Sequence, residues 1–297
     1  MNVLVTGGAG FIGRRLCAAL LARGDRVRVL DNFDDAYDPA LKASPAGAEL
    51  IRGDVCDEAT VLAALDGIEG VCHLAGRAGV RESLLAPEPY VRNNVVGTVN
   101  LLTAMARRQV RRMVFASSSS VYGAAAGPFR EADAADRPAS PYAASKRAAE
   151  LFCFASGLDV TVARLFTVYG PGQRPAMAIA KFVALSRAGE AIPVFGDGLS
   201  LRDYTWVDDT VDGLIRGLDR AQGCRIVNLG GGNPVPLTEV LAAVAEATGR
   251  PLTLRWLPVQ EGDVPVTHAD PSVAKQWLGW SPTMPFREGV ARYVDSL

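Results

Sequence analysis

The sequence predicts an α/β fold: a doubly wound parallel sheet with helices on both faces and a smaller C-terminal lobe. Three observations carry this. Short apolar runs alternate with longer stretches of helical spacing through the first half. A glycine-rich turn, Gly7-Gly8-Ala9-Gly10-Phe11-Ile12-Gly13, stands between the first run and the first helical stretch. Beyond Tyr169-Gly170-Pro171-Gly172, glycine and proline thicken and the alternation loosens.

Taken in order, Asn2–Thr6 reads as a buried strand and Phe11–Arg23 as a helix. Strands follow at Arg26–Asp31, Leu50–Val55, Val71–Ala75, Met113–Ser117 and Asp159–Leu165. Long helices are expected at Tyr90–Arg108 and Tyr142–Ala155. The second half predicts helices at Ala178–Ala188, Leu237–Thr248 and Pro285–Val294, joined by short strands that interleave with the main sheet.

The 297 residues are 49% hydrophobic and 21% charged, enough for a sizeable core and unlike a disordered chain. A formal net charge of -1 gives no electrostatic footprint for nucleic acid or an anionic membrane. Five scattered cysteines without a CxxC pair read as reduced thiols, and two histidines exclude a multi-His metal site, so no metal is expected. No leader-like stretch precedes the first strand, and no apolar run is long enough to cross a bilayer; both point to the cytoplasm.

The glycine turn, in its strand-to-helix context, predicts a dinucleotide site of Rossmann type. Glycine lets backbone approach a pyrophosphate, and the helix N-terminus offers free N–H groups and partial positive charge. Asp31 closes the second strand, where a carboxylate accepts hydrogen bonds from both adenosine ribose hydroxyls and repels a 2′-phosphate. The expected cofactor is therefore NAD rather than NADP. Asp54-Val55 and Leu74-Ala75-Gly76, at later strand ends, complete the pocket. His73, just before, reads as a satisfied strand-end residue rather than a catalyst.

Tyr142 and Lys146 lie one helical turn apart, on one helix face. A free phenol titrates near ~10. A nearby ammonium and a cationic nicotinamide favour the phenolate, so Lys146 is expected to lower the Tyr142 pKa. Ser117-Ser118-Ser119-Ser120, leaving a buried strand, predict a polar ligand there.

The glycine motif, Asp31, the serines before Val121-Tyr122-Gly123, and Tyr142 with Lys146 resemble the extended short-chain dehydrogenase/reductase family of nucleotide-sugar enzymes. The resemblance runs through Asn94 with Gly97-Thr98-Val99-Asn100, Arg164 with Tyr169-Gly170-Pro171, Arg202-Asp203-Tyr204, Asn228-Leu229-Gly230 and Leu278-Gly279-Trp280. It implies Ser118, Tyr142 and Lys146 as the catalytic set. It places NAD against Gly7, Gly10, Phe11, Ile12, Gly13, Asp31, Asn32, Asp54, Val55, Leu74, Ala75, Gly76, Asn94, Tyr142 and Lys146. Residues 1–167 are then mainly the NAD-binding unit, with later segments returning to it, and 168–297 mainly the nucleotide-sugar lobe. The two long helices match the pair that forms homodimers in this family.

Dehydratases and decarboxylases of the family carry an acid beside the catalytic hydroxyl, where this chain has Ser119 and Ser120. Within the epimerases it is similar to UDP-glucuronate 4-epimerases, through Asp31–Pro39, Ala78–Ser83 and Arg164–Pro175. Thr167 stands where UDP-glucose epimerases usually have Asn. Gln260-Glu261 precede Gly262-Asp263 where those enzymes commonly have an arginine. Arg174 matches the arginine that secures the sugar carboxylate, a natural bidentate partner. The resemblance places a UDP-sugar against Arg81, Ser117, Ser118, Ser119, Thr167, Arg174, Arg202 and Asp263, with Ser117, Thr167 and Arg174 as the carboxylate clamp. A UDP-glucose or UDP-N-acetylglucosamine 4-epimerase, a keto-sugar reductase and a non-catalytic NAD sensor remain the alternatives.

Overall fold

The computed structural model describes every residue except Ala36, Ala126, Glu261 and Gly262, so those parts of the Asp31–Pro39 and 260–264 segments lie outside the described residues. Its centre is a seven-stranded sheet: β1 (Asn2–Thr6), β2 (Arg26–Asp31), β3 (Glu49–Arg52), β4 (Gly70–His73), β5 (Arg112–Ser118), β6 (Asp159–Leu165) and β7 (Cys224–Leu229). The spatial order is β3-β2-β1-β4-β5-β6-β7, and every neighbouring pair is parallel. The order reverses between β1 and β4, and the crevice outside their carboxyl ends is where such sheets take ligands.

β1 shows why the runs are apolar rather than alternating. Val3, Leu4 and Val5 are all fully buried because both sheet faces are covered. Val3 and Val5 pack with Leu16, Cys17 and Leu20 of α1 (Phe11–Ala22) in one core. Leu4 packs on the other face with Val61, Leu101 and Met105. Those belong to α2 (Glu58–Ala64) and α3 (Gly97–Arg107). The helix α4 (Pro141–Ala155) covers the same face with Ala149 and Cys153.

The third strand stops at Arg52 rather than Val55. Its pairing with β2 ends at Asp31, and the Asp54 carboxylate accepts the Cys56 N–H at 2.8 Å, turning the chain towards α2. The expected helix Tyr90–Arg108 begins as Glu88–Tyr90, passes through a π turn at Val91–Val96 and continues as α3. Two elements of the second half return to the sheet: β7, beside β6, and the helix α5 (Val207–Asp219), whose Leu214 and Leu218 join the core beside α1. The remaining small strands pair Thr167–Tyr169 with Tyr204–Trp206, Leu201–Arg202 with Val235–Pro236, and Ile192–Phe195 with Leu254–Leu257. Among the described residues no helix is long and apolar enough to cross a membrane.

Candidate active site

A cavity of about 310 Å³ opens at the carboxyl ends of β1, β2, β4, β5 and β6. Its walls include Gly7, Gly10, Phe11, Ile12 and Gly13 from the glycine turn, and Asp31 and Asn32 after β2. Asp54, Val55, Leu74, Ala75 and Gly76 close it on two further sides. Ser117, Ser118, Tyr142, Lys146, Thr167 and Arg174 face the same space. The structure also puts Tyr37, Lys42, Asn93 and Met177 on the wall, which sequence reasoning missed. Tyr37 and Lys42 lie in a loop without periodicity, so only their place after Asp31 hinted at them. The Lys42 ammonium donates to the Asp34 carbonyl at 2.7 Å and lies over the Tyr37 ring.

The glycine turn fits a dinucleotide. A Cβ on Gly10 would meet only the Gly7 carbonyl at 3.3 Å and the Tyr37 hydroxyl at 3.8 Å, so any side chain there would fill the cavity mouth at the N-terminus of α1. Asp31 is buried, and its two oxygens accept the Ala9 N–H at 3.0 Å and the Phe33 N–H at 2.8 Å. A carboxylate accepts about four hydrogen bonds, so capacity remains for two ribose hydroxyls.

Local sequence places Tyr142 and Lys146. Ser140 caps α4 by accepting the Ala143 N–H at 3.2 Å, and Pro141 occupies the first helical position. That starts the helix at the cavity and sends Tyr142 and Lys146 into it. Burial pushes the Tyr142 phenol above its ordinary value; the Ser118 hydroxyl and the Arg174 charge oppose this. Lys146 lies one turn further along the same helix. Its ammonium donates to the Ala116 carbonyl at 2.9 Å and sits 5.0 Å from the Phe115 ring centroid. Burial lowers the Lys146 pKa to about 8, with Cys153 and Glu150 resisting.

Six other expected site residues lie off this wall or are engaged by protein partners. Asn94 is off the cavity wall, because the π turn directs its amide into protein: it accepts the Arg77 N–H and donates to the Arg77 carbonyl and the Ser145 hydroxyl. Asn93 takes its place on the wall. Ser117 borders the cavity, but its hydroxyl donates to Glu150 at 2.6 Å, which removes it from a carboxylate clamp. Ser119 opens a tight turn, Ser119–Tyr122, and is off the wall. Arg81, Arg202 and Asp263 lie off this wall too, in a cluster of their own. Arg81 pairs with Asp263 at 2.9 Å, and burial lowers the Arg202 pKa while Asp263 acts to raise it. His73 is satisfied as expected, between Thr6 at 2.7 Å and Thr98 at 3.0 Å.

The model of the "NAD dependent epimerase/dehydratase family" matches residues 3–230. The chain belongs to that family. This enzyme is 40% identical to a UDP-glucuronate 4-epimerase of Thermodesulfobacterium geofontis (strain OPF15), over 98% of its own length and 94% of that protein's. It is similar to the UDP-glucuronic acid 4-epimerase of Bacillus cereus solved with UDP-glucuronic acid and NAD. That structure has a TM-score of 0.94 at 31% identity, covering 100% of this chain and 98% of the other. It is similar as well to the UDP-glucose 4-epimerase of Thermotoga maritima solved with UDP-glucose, with a TM-score of 0.93 at 30% identity and the same coverage. NAD is the cofactor of this family enzyme, and the glycine turn, Asp31 and Lys146 all line the cavity.

Proposed function

We propose that the enzyme inverts C4 of UDP-glucuronate, giving UDP-galacturonate. The observation that carries this is Arg174. Its guanidinium borders the cavity that holds Tyr142 and acts on the phenol's charge, yet among the described residues its only hydrogen bond is a long one, 3.3 Å, to the Ala78 carbonyl. A fork of free N–H donors beside the reacting centre suits a sugar carboxylate. The UDP-glucuronate 4-epimerases among the relatives support the same reading.

NAD, when bound, accepts a hydride from C4 and later returns it. Tyr142 takes the O4 proton, and Ser118 holds O4 beside it. The 4-keto sugar turns about its diphosphate linkage while Arg202 and Asp263 keep the nucleotide end in place. Tyr142 then gives the proton back on the other face. The intermediate is a β-keto acid, so Arg174, helped by Thr167, must keep the carboxylate from aligning with the keto π system and losing CO2. Beside Ser118 stand the hydroxyls of Ser119 and Ser120, which offer no acid for elimination.

We read residues 1–167 with β7 as the NAD-binding unit, 168–297 as mainly the sugar-nucleotide lobe, and the enzyme as a cytoplasmic homodimer. Apolar side chains support the dimer: Leu85 and Val91 before α3, and Leu151, Phe152 and Phe154 on α4, are all exposed. L151E should release monomers in sedimentation; an unchanged mass would remove this interface. The function itself is tested by offering a panel of UDP-sugars without added reductant and separating the epimers. UDP-glucuronate should be turned over best. Preference for UDP-glucose or UDP-N-acetylglucosamine, or a need for NADH, would replace the reading.

A further inference from the structure

The catalytic helix carries a buried acid that the reaction scheme does not use. Glu150 lies one helical turn beyond Lys146 and is fully buried. Its carboxylate accepts four hydrogen bonds. The Ser117 hydroxyl at 2.6 Å and Arg164 Nε at 2.9 Å reach Oε1; Arg164 Nη2 and Arg147 Nη1, both at 2.8 Å, reach Oε2. These partners come from three elements. Ser117 precedes Ser118 at the end of β5, Arg164 lies near the end of β6, and Arg147 follows Lys146. Arg164 is itself 1% exposed and stacks over the Tyr122 ring at 4.6 Å. The Tyr122 hydroxyl donates to Asn228 on β7 at 2.7 Å.

We infer that Glu150 is a positioning residue for the whole catalytic set: it ties the strand end bearing Ser118 to the helix bearing Tyr142 and Lys146, and it supplies the buried negative charge that keeps the Lys146 ammonium protonated.

The surroundings of Lys146 leave this task to Glu150. From its own helix it meets Cys153 and Glu150; from β4, the neutral ring of His73; from β5, the Phe115 ring and the Ala116 carbonyl; and from the loop after β4, Gly76. Burial favours the neutral amine at Lys146; Cys153 and then Glu150 oppose that. Burial pushes the Cys153 thiol up and keeps it neutral, which leaves Glu150 as the formal negative charge. Burial works against the Glu150 charge as well, but Arg164 overcomes it and holds the carboxyl below the usual range. A carboxylate so fully satisfied is fixed in place, whereas one left without its partner is costly.

This inference rests on the roles given to Tyr142 and Lys146, so its test does not depend on the sugar. The chain has four lysines: Lys42, Lys146, Lys181 and Lys275. The 13Cε resonance of each can be followed against pH, with K146R assigning its own. In the wild type the Lys146 midpoint should fall near about 8. E150Q should lower it by about one pH unit or more, and E150D should restore much of it. The alkaline limb of turnover should move with the midpoint. Should E150Q not fold, E150D, which keeps the charge but draws it back by one methylene, should still lower the midpoint measurably, by less than E150Q. An unchanged midpoint in whichever variant folds would overturn the inference and leave Glu150 a purely structural ion-pair partner.

Discussion

The Tyr90 ring meets the Tyr142 ring edge-on, with centroids 6.1 Å apart and planes at 70°. Tyr90 is buried, so the contact fixes the catalytic phenol by its ring rather than its hydroxyl. Y142F keeps that packing and removes only the acid–base group. It should lose ~100-fold or more in turnover and still bind NAD, measured by sugar kinetics and cofactor titration. Near-normal turnover would remove Tyr142 from the mechanism.

Arg174 is expected to set substrate choice. A charge-assisted hydrogen bond contributes roughly 1.5–3 kcal/mol, or about 10- to 150-fold. R174A should therefore weaken use of UDP-glucuronate by that order and leave UDP-glucose almost unaffected. A decarboxylated pentose should also begin to leak, because the carboxylate is then free to rotate. Equal damage with both sugars would make Arg174 a structural or diphosphate contact.

Asp31 has two tasks in the structure: it holds the glycine loop through the Ala9 N–H, and it lines the cavity. Apo-enzyme should bind NAD more tightly than NADP. D31A should weaken NAD binding beyond the loss of a ribose contact, since the loop is loosened too. Calorimetric titration with both cofactors measures this, and tighter NADP binding by the wild type would contradict it.

Burial, aided by Lys146, pushes His73 down to about 3, so the folded enzyme keeps it neutral. Unfolded, it titrates near ~6.5. Between these values the unfolded chain binds the extra proton, so stability is lost as pH falls below ~6.5, by up to about 1.4 kcal/mol per pH unit. H73Q, whose amide can still bond Thr6 and Thr98, should flatten that dependence. Urea unfolding of both proteins at several pH values reads it, and parallel curves would show that His73 does not contribute.

The cavity was legible because its walls are strand ends beside glycines, and the limits of β1, β2 and β6 follow from apolar runs closed by polar residues. Other features were hidden for physical reasons. α5 carries Asp208, Asp209, Asp212 and two glycines, which depress helix propensity. Packing requires one of them: a Cβ on Gly213 would come within 2.9 Å of Leu229 on β7. β7 joins the sheet only through pairing with a distant strand, which no local pattern records. Ser117 and Ser118 both border the cavity, but no local pattern records that Glu150, 33 residues further on, takes the Ser117 hydroxyl. The π turn that carries Asn94 has no sequence signature, yet it sets where the amide points.

The fate of the C4 hydrogen tests the central claim most directly. UDP-glucuronate deuterated at C4, incubated with the enzyme as isolated and with no added NADH, should give UDP-galacturonate that keeps the label at C4 when read by mass spectrometry and NMR. Exchange of the label with water, its appearance in added NAD, or recovery of a decarboxylated or reduced sugar as the main product would contradict the account.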